Sequence, residues 1–146
     1  MTKKDGSSFK AKHGQDSIAD IAAEVREGLE GAAQAGALSC AAAFKLCADL
    51  QKPPAEIGKA ADLLAIRLVK CQLGLFGYAP EKKAVQPAVS VDTALEGAIR
   101  AALQNGRLPC RSAWEIAERL RLPKMNVSSA CEALGLKIKP CQLGAF

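Results

Sequence analysis

Residues 113–136 read AWEIAERLRLPKMNVSSACEALGL, and the spacing of their apolar positions decides the fold. Ile116, Ala117 and Leu120 fall on one face of a helix. Leu122-Pro123 then turns the chain, and Val127, Ala130 and Leu134 recur at the interval that lines the inner face of a second helix. Ala117 is small, which lets the two helices cross closely. Pro123 suits the start of the second helix, where an N–H has no intrahelical acceptor. The stretch predicts two amphipathic helices joined by a tight turn.

The pattern occurs twice. Residues 43–66 read AFKLCADLQKPPAEIGKAADLLAI and align with it without a gap, 70 positions earlier. Phe44 answers Trp114, Leu46 answers Ile116, Cys47 answers Ala117 and Leu50 answers Leu120. Pro53 answers Pro123, Ile57 answers Val127, Ala60 answers Ala130 and Leu64 answers Leu134. The register continues outward through Gln34, Gly36, Leu38 and Cys40 against Gln104, Gly106, Leu108 and Cys110. It closes on CQLG at 71–74 with Phe76, and again at 141–144 with Phe146. Fifteen of 52 positions are identical between 25–76 and 95–146, which makes this an internal duplication.

On these residues each copy resembles the helix-turn-helix of DNA-binding regulators, with Arg121 standing where such motifs place a turn glycine. Ala37-Leu38-Ser39 before the first motif helix predicts a turn or brief strand, and residues 66–73 (IRLVKCQL) alternate as a strand does. That layout resembles a winged helix, with a ribbon of residues 38–40 against 68–72. Copy two stops at Phe146 without a second wing strand, and copy one has only residues 75–79 for that purpose, so a trimmed wing is expected. The fold class is therefore mainly α: two tandem winged-helix-like modules, each with a short β-ribbon, related by approximate internal twofold symmetry.

The expected organisation is a disordered basic arm over 1–16, a first module over 17–76, a Pro-containing linker over 77–91 and a second module over 92–146. The first helix of copy one is expected from a Ser17 cap to about Ala35, with Ile18, Ile21, Ala22, Val25 and Leu29 as its apolar stripe and Gly36 ending it. The motif helices of copy one are expected at 40–50 and from Pro53 or Pro54 to about Leu64. In copy two the first helix is expected over 91–105, opened by a capping box of Thr93 and Glu96 and ended by Gly106. Modules of roughly 55 residues sit near the lower size for independent folding, so packing between them is expected.

Net charge is +5, distributed as +2 over 1–16, −1 over 17–76, +1 over 77–91 and +3 over 92–146. The second module and the arm are basic, which suits nucleic acid but is common among other proteins. No apolar run reaches membrane-spanning length and the lysine-containing N-terminus lacks a signal-peptide core, so a cytoplasmic protein without membrane association is expected. Six cysteines then read as reduced thiols. The single histidine, His13, lies in the arm, and the chain has neither a Gly-rich phosphate loop nor a nucleophile elbow, so no enzyme activity is expected.

Exposed positions of the second motif helix are where DNA readers place base contacts. In copy two these are Lys124, Met125, Asn126, Ser128 and Ser129: Asn pairs with adenine, Ser bonds either partner, Lys suits guanine or phosphate and Met suits a thymine methyl. Arg107 and Arg111 are candidate phosphate clamps; Arg119 and Arg121 add positive charge, Arg121 as a further candidate DNA contact. Copy one offers Pro54, Glu56, Gly58 and Lys59, of which only Lys59 suits DNA. The expected function is a DNA-binding transcriptional regulator that contacts double-stranded DNA through module two, as a homodimer if it follows the habit of such regulators. The alternative is a protein-interaction or assembly module on the same helices.

Cys40, Cys71, Cys110 and Cys141 recur between copies. Four thiolates would satisfy zinc or an iron–sulfur cluster, or pair as a redox switch. The chain has no CxxC, and a buried thiol is also a small hydrophobe, so core packing without a cofactor is the expected role. Cys47 and Cys131 replace alanines of the other copy and read as core. Gln72 and Gln142 are expected to bond unpaired backbone at the ribbon edge, or phosphate.

Overall fold

The computed structural model describes residues 18–79 and 83–145. The chain divides into two compact units, the first ending at Val69 and the second beginning at Lys70. Residues 70–91, expected as the end of module one and a linker, therefore belong with the second unit. The expected arm over 1–16 lies outside the described residues.

After a 3-10 turn at Ile18–Asp20, unit one runs α1 (Ala23–Ala32), β1 (Ala37–Ser39), α2 (Cys40–Leu50), α3 (Pro54–Leu63) and β2 (Arg67–Val69). Unit two repeats that order with α4 (Thr93–Ala102), β3 (Arg107–Leu108), α5 (Cys110–Leu120), α6 (Lys124–Leu134) and β4 (Lys137–Ile138). The described chain is mainly helical with two small strand pairs.

Each pair is parallel: Leu38 lies beside Leu68 in the first, and Arg107 beside Lys137 and Leu108 beside Ile138 in the second. Two intervening helices carry the chain back to its starting edge, so the second strand runs the way the first did. Both ribbons are short. The strand expected over 66–73 covers only Arg67–Val69, because Lys70 takes φ 51° and turns the backbone away. Residues 75–79 form no strand.

The first helices are shorter than expected for one local reason. Ala35 and Gly36 take φ 52° and 75°, and Asn105 and Gly106 take 54° and 77°, forming two-residue turns closed by paired backbone bonds of Gln34 with Ala37 and of Gln104 with Arg107. Those turns use the residues that would have extended the helices, which end at Ala32 and Ala102. Ser17 lies outside the described residues, and α1 starts at Ala23 behind Ala22. The cap of α4 is Asp92, whose carboxylate accepts from the Ala94 N–H at 3.2 Å; Glu96 pairs with Arg100 at 2.8 Å instead of closing a box with Thr93.

The helix pairs meet as the sequence predicts. Both turns pass through a left-handed residue, Gln51 at φ 54° and Arg121 at φ 56°, so the chain makes the glycine-type turn without glycine. In unit two Leu95, Ile99, Leu108, Ala113, Ile116, Ala117, Val127, Ala130 and Ile138 are buried in one cluster, which Cys71, Leu73, Cys110 and Cys131 complete. In unit one Val25, Leu29, Leu38, Ala43, Cys47, Ile57 and Ala60 occupy the matching places.

Candidate nucleic-acid interface

Helix α6 opens with Pro123 as N-cap, and Lys124 begins its first turn. Lys124 is half-buried, and its ammonium lies 4.6 Å from the centre of the Trp114 ring, a cation–π contact that fixes the side chain against α5. Met125 and Asn126 are exposed beside it. Arg121 is exposed at the turn, and Arg119 is exposed on α5.

The following turn of α6 is covered by its own chain. Ser128 is 0% exposed, and its hydroxyl lies 2.6 Å from the Leu73 carbonyl oxygen, to which it donates, and 3.2 Å from that of Met125. The Ser129 hydroxyl donates to the Gln86 carbonyl at 2.6 Å, and the Ala88 N–H donates back to the Ser129 carbonyl at 3.0 Å. Lys83 pairs with Glu132 at 2.8 Å. Met125, Ser128, Ser129 and Glu132 share one side of the helix. Residues 73–79 and 83–88 supply a strap along that side.

Gly74 holds the strap's bend. Its φ is +75°, its carbonyl accepts from the Ala84 and Val85 N–H groups at 2.8 and 3.0 Å, and a Cβ there would lie 2.9 Å from the Met125 sulfur. Val85 is buried beneath the bend, and the Tyr78 hydroxyl donates to the Cys71 carbonyl at 2.5 Å. The strap escapes a periodicity reading because backbone carbonyls and a glycine make it, not an apolar stripe. Its trace in the sequence was the Ser128-Ser129 pair between Val127 and Ala130, both buried positions of the helix.

The nine expected DNA contacts thus separate into groups. Lys124, Met125, Asn126 and Arg121 lie together at the start of α6, while Ser128 and Ser129 are engaged by the strap. Arg111 is exposed and faces Glu115 at 3.4 Å. Arg107 lies apart on β3, and Lys59 is a half-buried residue of α3 in unit one. The charge follows the units: residues 70–146 hold eleven basic and six acidic side chains, whereas residues 1–69 hold nine of each.

Cys40, Cys71 and Cys110 are buried and Cys141 is half-buried, all as free thiols. Among the described residues no three His, Cys, Asp or Glu side chains come together so as to hold a metal ion. Burial is the main cause that raises the Cys71 and Cys47 thiols and pushes Cys110 up to about 11. These groups are protonated at neutral pH. Gln142 donates to the Cys110 sulfur at 3.4 Å, so this glutamine serves a thiol in place of ribbon backbone.

No family model, curated protein or solved structure matches the chain. Among the described residues, no helix is long and apolar enough to cross a membrane.

Proposed function

We propose that the protein is a DNA-binding regulator of helix-turn-helix type, in which unit two contacts double-stranded DNA and the start of α6 makes the base contacts. The observation that carries this reading is that Arg121, Lys124, Met125 and Asn126 form an open, cationic helix start on the unit that holds the whole net charge of +5. A major groove admits such a helix start, and the phosphates reward its charge. Unit one keeps the fold with Pro54, Glu56 and Gly58 at the matching places and acts as the supporting copy. Two chains would then present two α6 helices to two half-sites, which makes a homodimer the expected assembly.

The test is anisotropy of a labelled random duplex at low and moderate salt, with wild type and an Arg121→Ala/Lys124→Ala variant. The reading expects binding that weakens steeply with salt, and a slope shallower by up to about 1.8 in the variant, at about 0.9 for each phosphate contact removed. Absence of binding at the lowest salt overturns it.

One observation favours a second reading, a protein-assembly module: the strap shows that the α6 face accepts an extended peptide segment. That reading expects a mass that rises with concentration in light scattering, without duplex binding.

A further inference from the structure

The two units share one scaffold, so the positions where their chemistry diverges are informative. One such divergence lies on the small parallel ribbon of unit two. Leu108 and Ile138 point into the core, and alternation sends Arg107, Lys137 and Lys139 outward, where all three are exposed. Arg107 and Lys137 are direct partners in the strand register, and the Lys139 N–H donates to the Leu108 carbonyl at 2.8 Å, which continues the pairing. The matching residues of unit one are Ala37, Arg67 and Val69, with a single cation.

Like charges placed opposite each other on a strand pair oppose folding. None of the three cations has an acidic partner among the described residues, so only water and salt screen their repulsion. Arg107 and Lys139 also line a shallow recess of about 270 Å³, whose other walls are Gln104, Asn105 and Pro140. Two amide side chains and two cations, without a carboxylate, suit an oxyanion with several acceptor oxygens. A phosphate group meets that description.

We propose that the β3–β4 face of Arg107, Lys137 and Lys139 is a phosphate-binding platform, and that its ligand is the sugar–phosphate backbone of duplex DNA. The inference rests on the DNA-binding reading above and adds a second contact region, remote in sequence from the α6 start. It assigns Lys137 and Lys139 a role and joins them to Arg107 in one phosphate-facing surface.

The test uses the full chain, the Arg107→Gln/Lys137→Gln/Lys139→Gln variant and the charge-conserving Arg107→Lys variant. All substitutions are at exposed positions, and circular dichroism checks the fold. Duplex anisotropy across a salt series should give the Gln variant a slope lower by up to about 2.7, at about 0.9 per contact, while Arg107→Lys keeps the wild-type slope. The loss should be equal on unrelated duplex sequences, as phosphate contacts demand. Wild-type binding with an unchanged slope in the Gln variant overturns the platform and leaves the proposed function standing. No wild-type binding at the lowest salt overturns both. In a parallel arm, pyrophosphate is titrated while the amides of 104–107 and 137–139 are followed by NMR. Saturating shifts there, in a chain that binds no duplex, overturn the duplex assignment in favour of a free phosphoryl ligand.

Discussion

The Ser128 hydroxyl is fully buried and is bonded to a carbonyl 55 positions earlier in the chain. Ser128→Ala leaves the Leu73 carbonyl without its partner, so it should cost about 1–3 kcal/mol in urea denaturation. Ser129→Ala breaks a more exposed bond and should cost about 0.5–1 kcal/mol. An equal, negligible cost for both would show that the strap does not rest on α6. Cys131 gives a pH-dependent prediction. Burial, with a smaller contribution from Glu132, pushes its thiol from the ordinary 9.0 up to about 11. The folded state therefore keeps the proton to higher pH than the unfolded state, and the stabilisation is complete below pH 9 and is lost as pH rises through about 11. Alkaline denaturation should show less of this loss in Cys131→Ala, with a neutral-pH cost of about 1–2 kcal/mol for the sulfur removed. Ala61 fills the matching place in unit one. A thiol role in packing was legible from that exchange of Cys for Ala between copies.

Helix pairing was the most legible feature at the scale of elements, because two repeats of one apolar pattern restrict each other. The motif helix expected over 40–50 is found at Cys40–Leu50, and the Pro at 53 and 123 caps the next helix in both units. Strand direction was not legible. A three-residue strand carries alternation but no sign of which way its partner runs, and the parallel pairing follows from the return path of two helices. The strap was hidden for another reason: its bonds come from backbone carbonyls at Leu73 and Gln86, which any residue could supply. Gly74 is its sequence-specific joint. Gly74→Ala forces a Cβ against the Met125 sulfur and strains a left-handed backbone, so a loss of about 1–3 kcal/mol is expected. Hydrogen exchange should read this locally, as faster exchange of the Ala84, Val85 and Ala88 amides. Unchanged protection at those amides would contradict the strap.

On the scale of the whole molecule, the two units repeat one order of elements, and the candidate site lies where their sequences differ. Matching apolar positions are buried in both units, by like side chains where the residues differ, as at Val25 and Leu95 or Ile57 and Val127. The differences concentrate charge: Arg107, Arg111, Arg119, Arg121, Lys124, Lys137 and Lys139 in unit two stand where unit one has Ala37, Ala41, Asp49, Gln51, Pro54, Arg67 and Val69. The sequence exposed this asymmetry at once, but spacing alone does not show that another segment lies on a helix face, as the strap does at Ser128 and Ser129. Ser128 and Ser129 were candidates by position and are strap anchors by geometry.

The most direct measurement is a map of amide chemical-shift changes when a short duplex is added to the full chain. Changes are expected at Arg121, Lys124–Asn126, Arg107 and Lys137–Lys139, with Ser128, Ser129 and the strap amides at 84–86 and 88 unmoved and α3 silent. Changes centred on Glu56–Lys59 of α3, or release of the strap with direct contact at Ser128 and Ser129, would contradict it.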